Sequence, residues 1–424
     1  MFSKFLKIFK IPDLRKKIIT ILFLLLIFRI FSAIPIPGID AQKLQEFFSS
    51  NQLFGFLNIF SGGGLSNLSL MMLGVGPYIT ATIIMQLLTI IFPELKKAYY
   101  EEGAEGRAKF NRISRFLTVP LAGLQAYGFL NLLTSQGVLG RLPIGTLLSN
   151  VAVITAGSIL LMWIGELISE YKIGNGVSLI IFAGIVSGLP QIIQQSFATY
   201  TPDTLPTYLA FTILSIIVIA GVVFISEGER KIPISYAKQV RGNKLYGGVS
   251  TYLPLRVNQA GVIPIIFAIS LLLFPQFLAQ AMAIVSPTLS VKLNEIVNGF
   301  LSNLVIYSLI YFVLVVVFTY FYTAITFNPE EISRNLQKSG GFIPGIRPGP
   351  ATAHIISQVV HRTTLFGALF LGAVAVLPNV TQLVTGIQIL TIGGTALLIV
   401  VSVALETMKQ LESQLTVREY EGIL

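Results

Sequence analysis

The feature that most constrains this chain is a succession of ten apolar segments, each about as long as a membrane-crossing helix. Such a helix needs roughly 20 residues at about 1.5 Å rise per residue. Hydrophobic residues make up 54% of the 424 positions and charged residues 11%, whereas about 25% of a soluble domain is charged. We therefore expect an all-α membrane protein. The predicted spans are residues 18–36, 71–92, 115–134, 150–169, 177–198, 206–226, 260–283, 303–325, 364–384 and 387–405.

Basic residues fall on alternate connections between these spans. All but four of the 29 lysines and arginines lie in the N-terminal segment, after an even-numbered span or in the tail. The exceptions are Lys43, Arg141, Lys292 and Arg29, the last of which lies inside the first span. Because cytosolic loops are rich in Lys and Arg, both termini are predicted to be cytosolic. This asymmetry also accounts for the net charge of +10, for which a nucleic-acid partner is the alternative explanation.

Ten spans divide into two halves of five, and an odd number makes the second half inverted relative to the first. The predicted units are a cytosolic segment at 1–17, an N-terminal half at 18–198, a C-terminal half at 199–405 and a cytosolic tail at 406–424. The first apolar run could be a signal peptide, but nine more follow and Arg29 interrupts it, so we interpret it as a retained span.

A short echo suggests that the two halves arose by duplication. Span two opens with the sequence GVGP at 74–77, and span seven opens with GVIP at 261–264. Inverted halves often enclose a pathway between them, so we expect a central pore. Two cytosolic loops, about 227–259 and 326–363, are too long for simple turns, and the Gly- and Pro-rich stretch at 340–350 predicts a shaped docking surface.

The sequence offers little for catalysis. It has no cysteine, its two histidines (His354 and His361) lie in one predicted loop without a metal-binding pattern, and no GxxxxGK[ST] motif occurs. We therefore predict that the chain is not an enzyme and has no cofactor and no metal site. The spans also place almost no charge at mid-membrane, which disfavours a secondary transporter that coordinates an ion.

Six apolar side chains lie beside glycines or prolines at the starts of spans, where helices can flex or approach closely. Spacing alone does not distinguish them from the ordinary filling of a span. They are Val75, Ile79, Val177, Ile181, Ile266 and Ile399.

Motifs along most of the chain resemble the SecY family of protein-conducting channels. The first span ends with IPIPG at 34–38 after Arg29, and FSGG at 60–63 precedes PYIT at 77–80. The further motifs are IGNG at 173–176, IFAGIV at 181–186, LPLRVN at 253–258, AGVIP at 260–264, FNPEE at 327–331 and GIRPG at 345–349. The family's order of motifs is kept, and the outer loops and the tail carry the weakest resemblance.

The resemblance implies that the six apolar side chains form a ring at the waist of an hourglass pore. A narrow apolar waist dewets and resists ions, and it can close around any polypeptide because dispersion contacts are not directional. Residues at about 55–70 resemble the family's plug, a short helix that blocks the waist from outside. The implied plug residues are Phe60, Ser61, Gly62, Gly63, Gly64 and Leu65.

The resemblance further implies a lateral gate between spans two and three and spans seven and eight. Its predicted residues are Thr80, Ile83, Gln86 and Phe274. A polar set on span two, Thr82, Gln86 and Thr89, could instead hold neighbouring helices together.

By resemblance, the chain is the pore-forming subunit of the Sec translocon in the cell (inner or plasma) membrane. It would pass unfolded secretory polypeptides across the membrane and release hydrophobic segments sideways into lipid. The implied partners are SecE-like and SecG-like subunits, the SecA motor ATPase, the ribosome, signal sequences and nascent chains. Arg241, Lys244, Arg256 and Arg347 would contact SecA or the ribosome. The alternatives are a secondary transporter with inverted repeats and an insertase without a through-pore.

Overall fold

The computed structural model describes residues 11–36, 64–65, 68–100, 102–135, 137–140, 143–198, 205–236, 239–241, 244–246, 250–282, 286–385 and 393–421. These residues contain thirteen helices and five short strands. The helices are α1 (Pro12–Ser32), α2 (Gly76–Ile91), α3 (Pro93–Tyr100), α4 (Gly103–Ser135), α5 (Ile144–Glu170), α6 (Gly176–Ala198), α7 (Leu205–Glu227), α8 (Ile263–Ala281), α9 (Pro287–Ser302), α10 (Leu304–Thr326), α11 (Pro329–Lys338), α12 (Pro350–Thr385) and α13 (Gly393–Glu421). The strands are β1 (Glu229–Tyr236), β2 (Gln239–Arg241), β3 (Lys244–Tyr246), β4 (Ser250–Arg256) and β5 (Gly341–Phe342).

Ten of these helices coincide with the ten predicted spans, in order: α1, α2, α4, α5, α6, α7, α8, α10, α12 and α13. By length and composition, five helical stretches in the described part of the chain could cross a membrane. A sixth is possible if α2 and α3, which are bent by 116° at Phe92, count as one span. The fold is thus strongly helical and membrane-compatible, and the count of ten crossings stays a prediction.

Several helices extend beyond the apolar segments that predicted them. α12 begins at Pro350 rather than 364, so the expectation that His354 and His361 lie in a loop is wrong: both are exposed on this helix. Likewise α4 begins at Gly103, twelve residues before its predicted span. Polar residues can continue a helix outside the membrane, and a search for apolar windows does not detect them.

The two predicted cytosolic loops contain regular structure that the sequence analysis missed. Strand β1 pairs antiparallel with β4 on one side and with β5 on the other, and β2 and β3 form a separate hairpin. The chain is predominantly helical, as predicted, and its predicted cytosolic loops add a small antiparallel sheet. Within the second loop, α11 and β5 precede a turn at 343–349 that leads into α12.

In the described part of the chain, three extensive helix–helix contacts join the predicted halves. On one side, α8 of the C-terminal half packs against α2 and α4 of the N-terminal half. On another, α13 packs against α6. Within the halves, α4 packs on α5, and α10 on α12. One large apolar core runs through both halves, so the region between them is filled by side chains.

Candidate functional site

The segment just before α2 is a buried series of turns. Leu65 is 1% exposed, Leu68 is fully buried, and Gly64 is also buried. Backbone hydrogen bonds tie this segment to the end of α1: Ile36 N–H donates to Leu68 O at 2.9 Å, and Leu70 N–H donates to Ile34 O at 3.1 Å. These hydrogen bonds fix the approach to α2, whose predicted start at residue 71 is five residues too early.

Of the six predicted plug residues, the structure describes two. Gly64 and Leu65 form a buried turn, and Ser69 N–H donates to Gly64 O at 2.8 Å. Phe60, Ser61, Gly62 and Gly63 lie outside the described residues. The plug thus stays a prediction.

The sequence echo at 74–77 and 261–264 corresponds to a shared backbone conformation. Gly74 has φ +58° and Gly261 has φ +62°, a left-handed conformation that glycine adopts without steric cost. Each glycine is followed two residues later by the first residue of a helix. Ile79 N–H donates to Val75 O at 3.0 Å, and Ile266 N–H donates to Val262 O at 3.3 Å. α2 and α8 therefore begin in the same way, as duplicated halves would.

The structure brings all six predicted ring residues into the one large apolar core. Ile181 is fully buried, Val75 and Ile399 are 1% exposed, and Ile266 and Ile79 are 4% and 7% exposed. Val177, at the start of α6, is half-buried against the same core. The six come from the starts of α2, α6, α8 and α13, two helices from each predicted half. Many other side chains share this core, so the ring itself stays a prediction.

Val262 is a further candidate for the waist that the sequence analysis missed. It occupies the position in the α8 start that Val75 occupies in the α2 start, and both are 1% exposed in the same core. The repeated motif, GVGP at 74–77 and GVIP at 261–264, could have predicted Val262, because it aligns Val75 with Val262 and Ile79 with Ile266.

The interior around these residues carries no full charge. Among the residues whose burial the structure describes, no Asp, Glu, Lys, Arg or His is fully buried. Arg29 is half-buried on α1, and Glu166 on α5 is paired with Arg115 on α4 at 2.7 Å. In the same described part of the chain, no group of three His, Asp or Glu residues could hold a metal ion. The described part of the core around the predicted waist is therefore lined by apolar side chains.

The predicted gate residues lie on α2 and α8, two helices from different predicted halves that pack against each other. Thr80, Ile83 and Gln86 are all buried on α2, which packs against α8. Phe274 is half-buried on α8, next to Pro275 within the helix. The seam is formed by α2 and α4 against α8, and α10 packs behind α8.

The alternative role for the polar residues of α2, which is to hold neighbouring helices together, stays a prediction. Thr82 donates to Tyr78 O at 2.8 Å and Thr89 donates to Gln86 O at 2.6 Å, so both hydroxyls bond to their own helix. Gln86 Oε1 is buried without a hydrogen-bond partner. A buried amide oxygen without a partner is costly, so Gln86 destabilises the packing around it.

A second, smaller apolar core lies on the side of the basic loops. It joins Ile232 of β1, Leu255 of β4, Ile343 of the turn at 343–349, and Ile356 and Val360 of α12. The turn is also fastened by two side-chain hydrogen bonds. Ser333 Oγ donates to Gly349 O at 2.7 Å, and Thr352 Oγ1 donates to Arg347 O at 3.1 Å. This unit is an ordered platform, as the Gly- and Pro-rich sequence predicted.

Three of the four predicted partner-binding residues lie at strand ends, and the fourth at the turn. Arg347 is exposed at the tip of that turn, and Arg256 is exposed at the end of β4. Arg241 and Lys244 pair with each other in register at the end of the β2–β3 hairpin. The turn that carries Arg347 and the strand end that carries Arg256 belong to one unit. Strand β5, which leads into the turn, and strand β4 both pair with β1.

Comparison with known proteins gives this architecture a family. A model of the SecY family matches residues 69–408, which is most of the chain. This chain belongs to the SecY family. Among curated members, the protein translocase subunits SecY of Streptomyces galbus and of Mycobacterium tuberculosis are each 43% identical over the full length of both chains. That of Thermus thermophilus is 43% identical, over 100% of this chain and 98% of its own.

Solved structures of SecY and Sec61 channels share the fold. A structure described as a protein-conducting channel superposes with a TM-score of 0.66 over 93% of this chain and 90% of its own, at 21% identity. A SecY structure concerned with the plug domain and the closed channel gives 0.64 over 92% and 90%, also at 21% identity. Sec61 from a canine ribosome–channel complex gives 0.62 over 93% and 90%, at 21% identity. The SecY fold thus extends over nearly all of the chain.

Proposed function

We propose that this chain is the pore-forming subunit of a SecY-type protein translocase. Unfolded polypeptides would pass through a waist formed by Val75, Ile79, Val177, Ile181, Ile266 and Ile399. The observation that carries the proposal is the uncharged apolar core in which the starts of four helices, two from each half, come together. Such a waist excludes ions by dewetting and makes no sequence-specific demand on the chain that crosses it.

The lateral exit would lie at the seam of α2 and α4 with α8. The direct contact of α8 with α2 and α4 supports this proposal, and α2 carries the buried Thr80, Ile83 and Gln86. Parting of this seam would open the pore toward lipid, with Phe274 on its other side. Apolar segments of the passing chain would leave by this route because lipid solvates them better than the pore does.

The remaining assignments follow from the same proposal. The chain would lie in the plasma (inner) membrane with both termini in the cytosol, since its basic residues favour that side. The platform that carries Arg347 and Arg256, with the hairpin that carries Arg241 and Lys244, would bind SecA or the ribosome, whose RNA phosphates suit these cations. SecE-like and SecG-like subunits would complete the complex. The chain itself would be a channel and not an enzyme.

Site-specific crosslinking tests the proposed pathway. A photo-crosslinking residue at Ile79 should react with a secretory polypeptide stalled partway across vesicles that contain the complex. The same residue at Trp163, which is 57% exposed on α5, provides a lipid-facing control. Strong crosslinks from Ile79 with weak ones from Trp163 support passage through the waist. Equal or absent crosslinks at Ile79 would remove the pore assignment.

The two alternatives make different predictions. A secondary transporter needs a charged or ion-coordinating cluster at mid-membrane, and the uncharged interior of the described core weighs against it. An insertase without a through-pore needs no plug, so deletion of residues 60–68 should leave ion leakage through reconstituted vesicles unchanged. Under the channel proposal, leakage should rise unless another segment replaces the plug.

A further inference from the structure

The amphipathic helix α9 lies between two predicted spans, α8 and α10. It is 16 residues long, and it is joined to α10 through the single residue Asn303. Five residues separate it from the end of α8. It packs against both α8 and α10. These short connections keep α9 at the membrane boundary, because its neighbours are the ends of two spans.

One side of α9 packs onto the protein. Ser290 is 6% exposed, and Phe300 packs against the large apolar core. Leu293 and Val297 are half-buried between these two residues. At about 100° per residue, these four side chains form one continuous face.

Beside this packed face lies a pair of large apolar side chains that protein does not cover. Leu289 is 49% exposed and Ile296 is 69% exposed. They are seven residues apart, so they lie within about 20° of each other around the helix, two turns apart. They form a narrow apolar strip along one edge of α9.

Beyond the apolar strip the helix surface is polar. Lys292 and Glu295 are exposed there, about 50° and about 110° around the helix from the centre of the strip. Val291 is also exposed, at 57%, but it lies about 140° around the helix from Ile296. A single exposed valine among polar residues needs no partner. The helix therefore has a packed face, an apolar edge and a polar side, in that order.

The apolar edge is followed along the chain by exposed apolar side chains at the start of the next predicted span. After Asn303, the first turns of α10 expose Val305, Ile306 and Leu309, at 61%, 43% and 64%. Two side chains are too few for a stable protein contact, which buries about 800 Å² on each partner. They are sufficient for a short contact with the edge of a bilayer.

We propose that α9 is an interfacial helix that lays Leu289 and Ile296 into the boundary between lipid headgroups and acyl chains. Lys292 and Glu295 would face water and headgroups. The charges of this pair cancel, so the contact would depend on apolar burial and not on anionic lipid. Because α9 packs on α8, this anchor would hold the end of the predicted gate helix at a fixed depth. The inference relies on the proposed function only for the side of the membrane, which is opposite the basic loops.

Tryptophan quenching by brominated lipid tests the proposal directly. The chain has one tryptophan, so Trp163→Phe gives a background in which Ile296→Trp is the only reporter. The full chain, with its copurifying subunits, is reconstituted in vesicles of phospholipid brominated near either end of the acyl chains. An interfacial side chain lies about 5–10 Å below the headgroups, so bromines near the carboxyl end should quench roughly twofold or more, and deep bromines less.

Val291→Trp in the same background is the matched control, because it is an exposed apolar position on the other side of the same helix. Unmodified protein, whose Trp163 is 57% exposed on α5, confirms that the vesicles report lipid contact. Quenching of Ile296→Trp with little quenching of Val291→Trp supports the proposal. Equal quenching at both positions, none at Ile296, or quenching at Ile296 only after the other subunits are stripped away would overturn it. None of these outcomes depends on whether polypeptides cross the pore.

Discussion

Gly157 on α5 lies directly against Leu70 in the buried turns before α2, so close that a Cβ at this glycine would overlap the carbonyl oxygen of Leu70. Because Gly157 has no side chain, the segment that leads into the predicted waist can pack directly against α5. Backbone atoms cannot rotate away as a long side chain can, so any larger residue must push the turn or the helix aside.

Substitution Gly157→Ala should displace the Leu70 turn and lower the apparent melting temperature. Forced overpacking of this kind costs about 1–3 kcal/mol. Because the turn leads into Val75, we also expect a higher ion leak from vesicles. Gly145→Ala is the control on the same helix, since a Cβ there has no atom within 4 Å. Equal melting temperatures and leaks for the two variants would contradict the assignment of this contact.

Polar substitution at the equivalent positions Ile79 and Ile266 should hydrate the waist. We expect Ile79→Asn and Ile266→Asn each to raise ion conductance severalfold, because an apolar constriction resists ions only while it is dry. Ile180→Asn is the control: Ile180 is 1% exposed beside Ile181 but is not a predicted ring position. If Ile180→Asn leaks as much as the other two, the leak reflects general loosening of the core and not a waist.

The hydroxyl of Ser333 should matter for partner binding although it is buried. It donates to Gly349 O at 2.7 Å and so holds the turn that exposes Arg347. Ser333→Ala leaves Gly349 O with only the hydrogen bond from Ala353 N–H at 3.1 Å. The loss of one hydrogen bond costs about 0.5–1.5 kcal/mol, and the looser turn should weaken binding of SecA or ribosomes, measured by equilibrium titration. Arg347→Ala should weaken the same binding directly. Ser339→Ala, which removes exposed hydrogen bonds at the end of α11, should leave it unchanged.

The conformation of the turn between α5 and α6 should require glycine at position 174. This turn contacts α13 of the other half, which leaves little room for a side chain. Gly174 has φ +127°, and a Cβ there would lie 3.1 Å from Leu179 Cδ1 and 3.2 Å from Thr407 Oγ1. Nearby, Gln414 Nε2 donates to the carbonyl of Lys172.

Gly174→Ala should therefore lower stability by about 1–2 kcal/mol. Gly188→Ala, within α6 and open to space, should be neutral or stabilising. Thermal unfolding of both variants in the same detergent decides the matter: a neutral Gly174→Ala would show that the turn tolerates a side chain.

The ion pair of Arg115 with Glu166 should couple α4 to α5 only modestly. The side chains are 47% and 20% exposed, and water and salt screen pairs of this kind. A double-mutant cycle with Arg115→Gln and Glu166→Gln should give a coupling of about 0.5–1 kcal/mol that shrinks at high salt. Arg112→Gln, exposed on the same helix, serves as the control. A coupling energy that does not change with salt would contradict this prediction and show that the pair is shielded from solvent.

Much of this protein could be read from its sequence because the bilayer imposes simple rules. A span must be long, apolar and helical, so the ten segments predicted helices with ends that are mostly correct to a few residues. The glycines at 74 and 261 were informative for a similar reason, since only a residue without Cβ adopts a left-handed φ without strain. The resemblance to the SecY family, carried by short motifs in order, is confirmed by the family match over residues 69–408.

Other features depend on contacts between distant parts of the chain, and no local pattern encodes them. The sheet of β4, β1 and β5 joins two loops about 100 residues apart, and its short strands carry charges that hid them from an apolar search. The polar residues of α2 show the same limit: Thr82 and Thr89 bond within their own helix, which spacing could not decide. The place where the halves meet is fixed by the packing of α2 and α4 on α8 and of α6 on α13. The sequence does not reveal it, because any apolar surface could pack there and only the complementary shapes of the side chains decide which surfaces do.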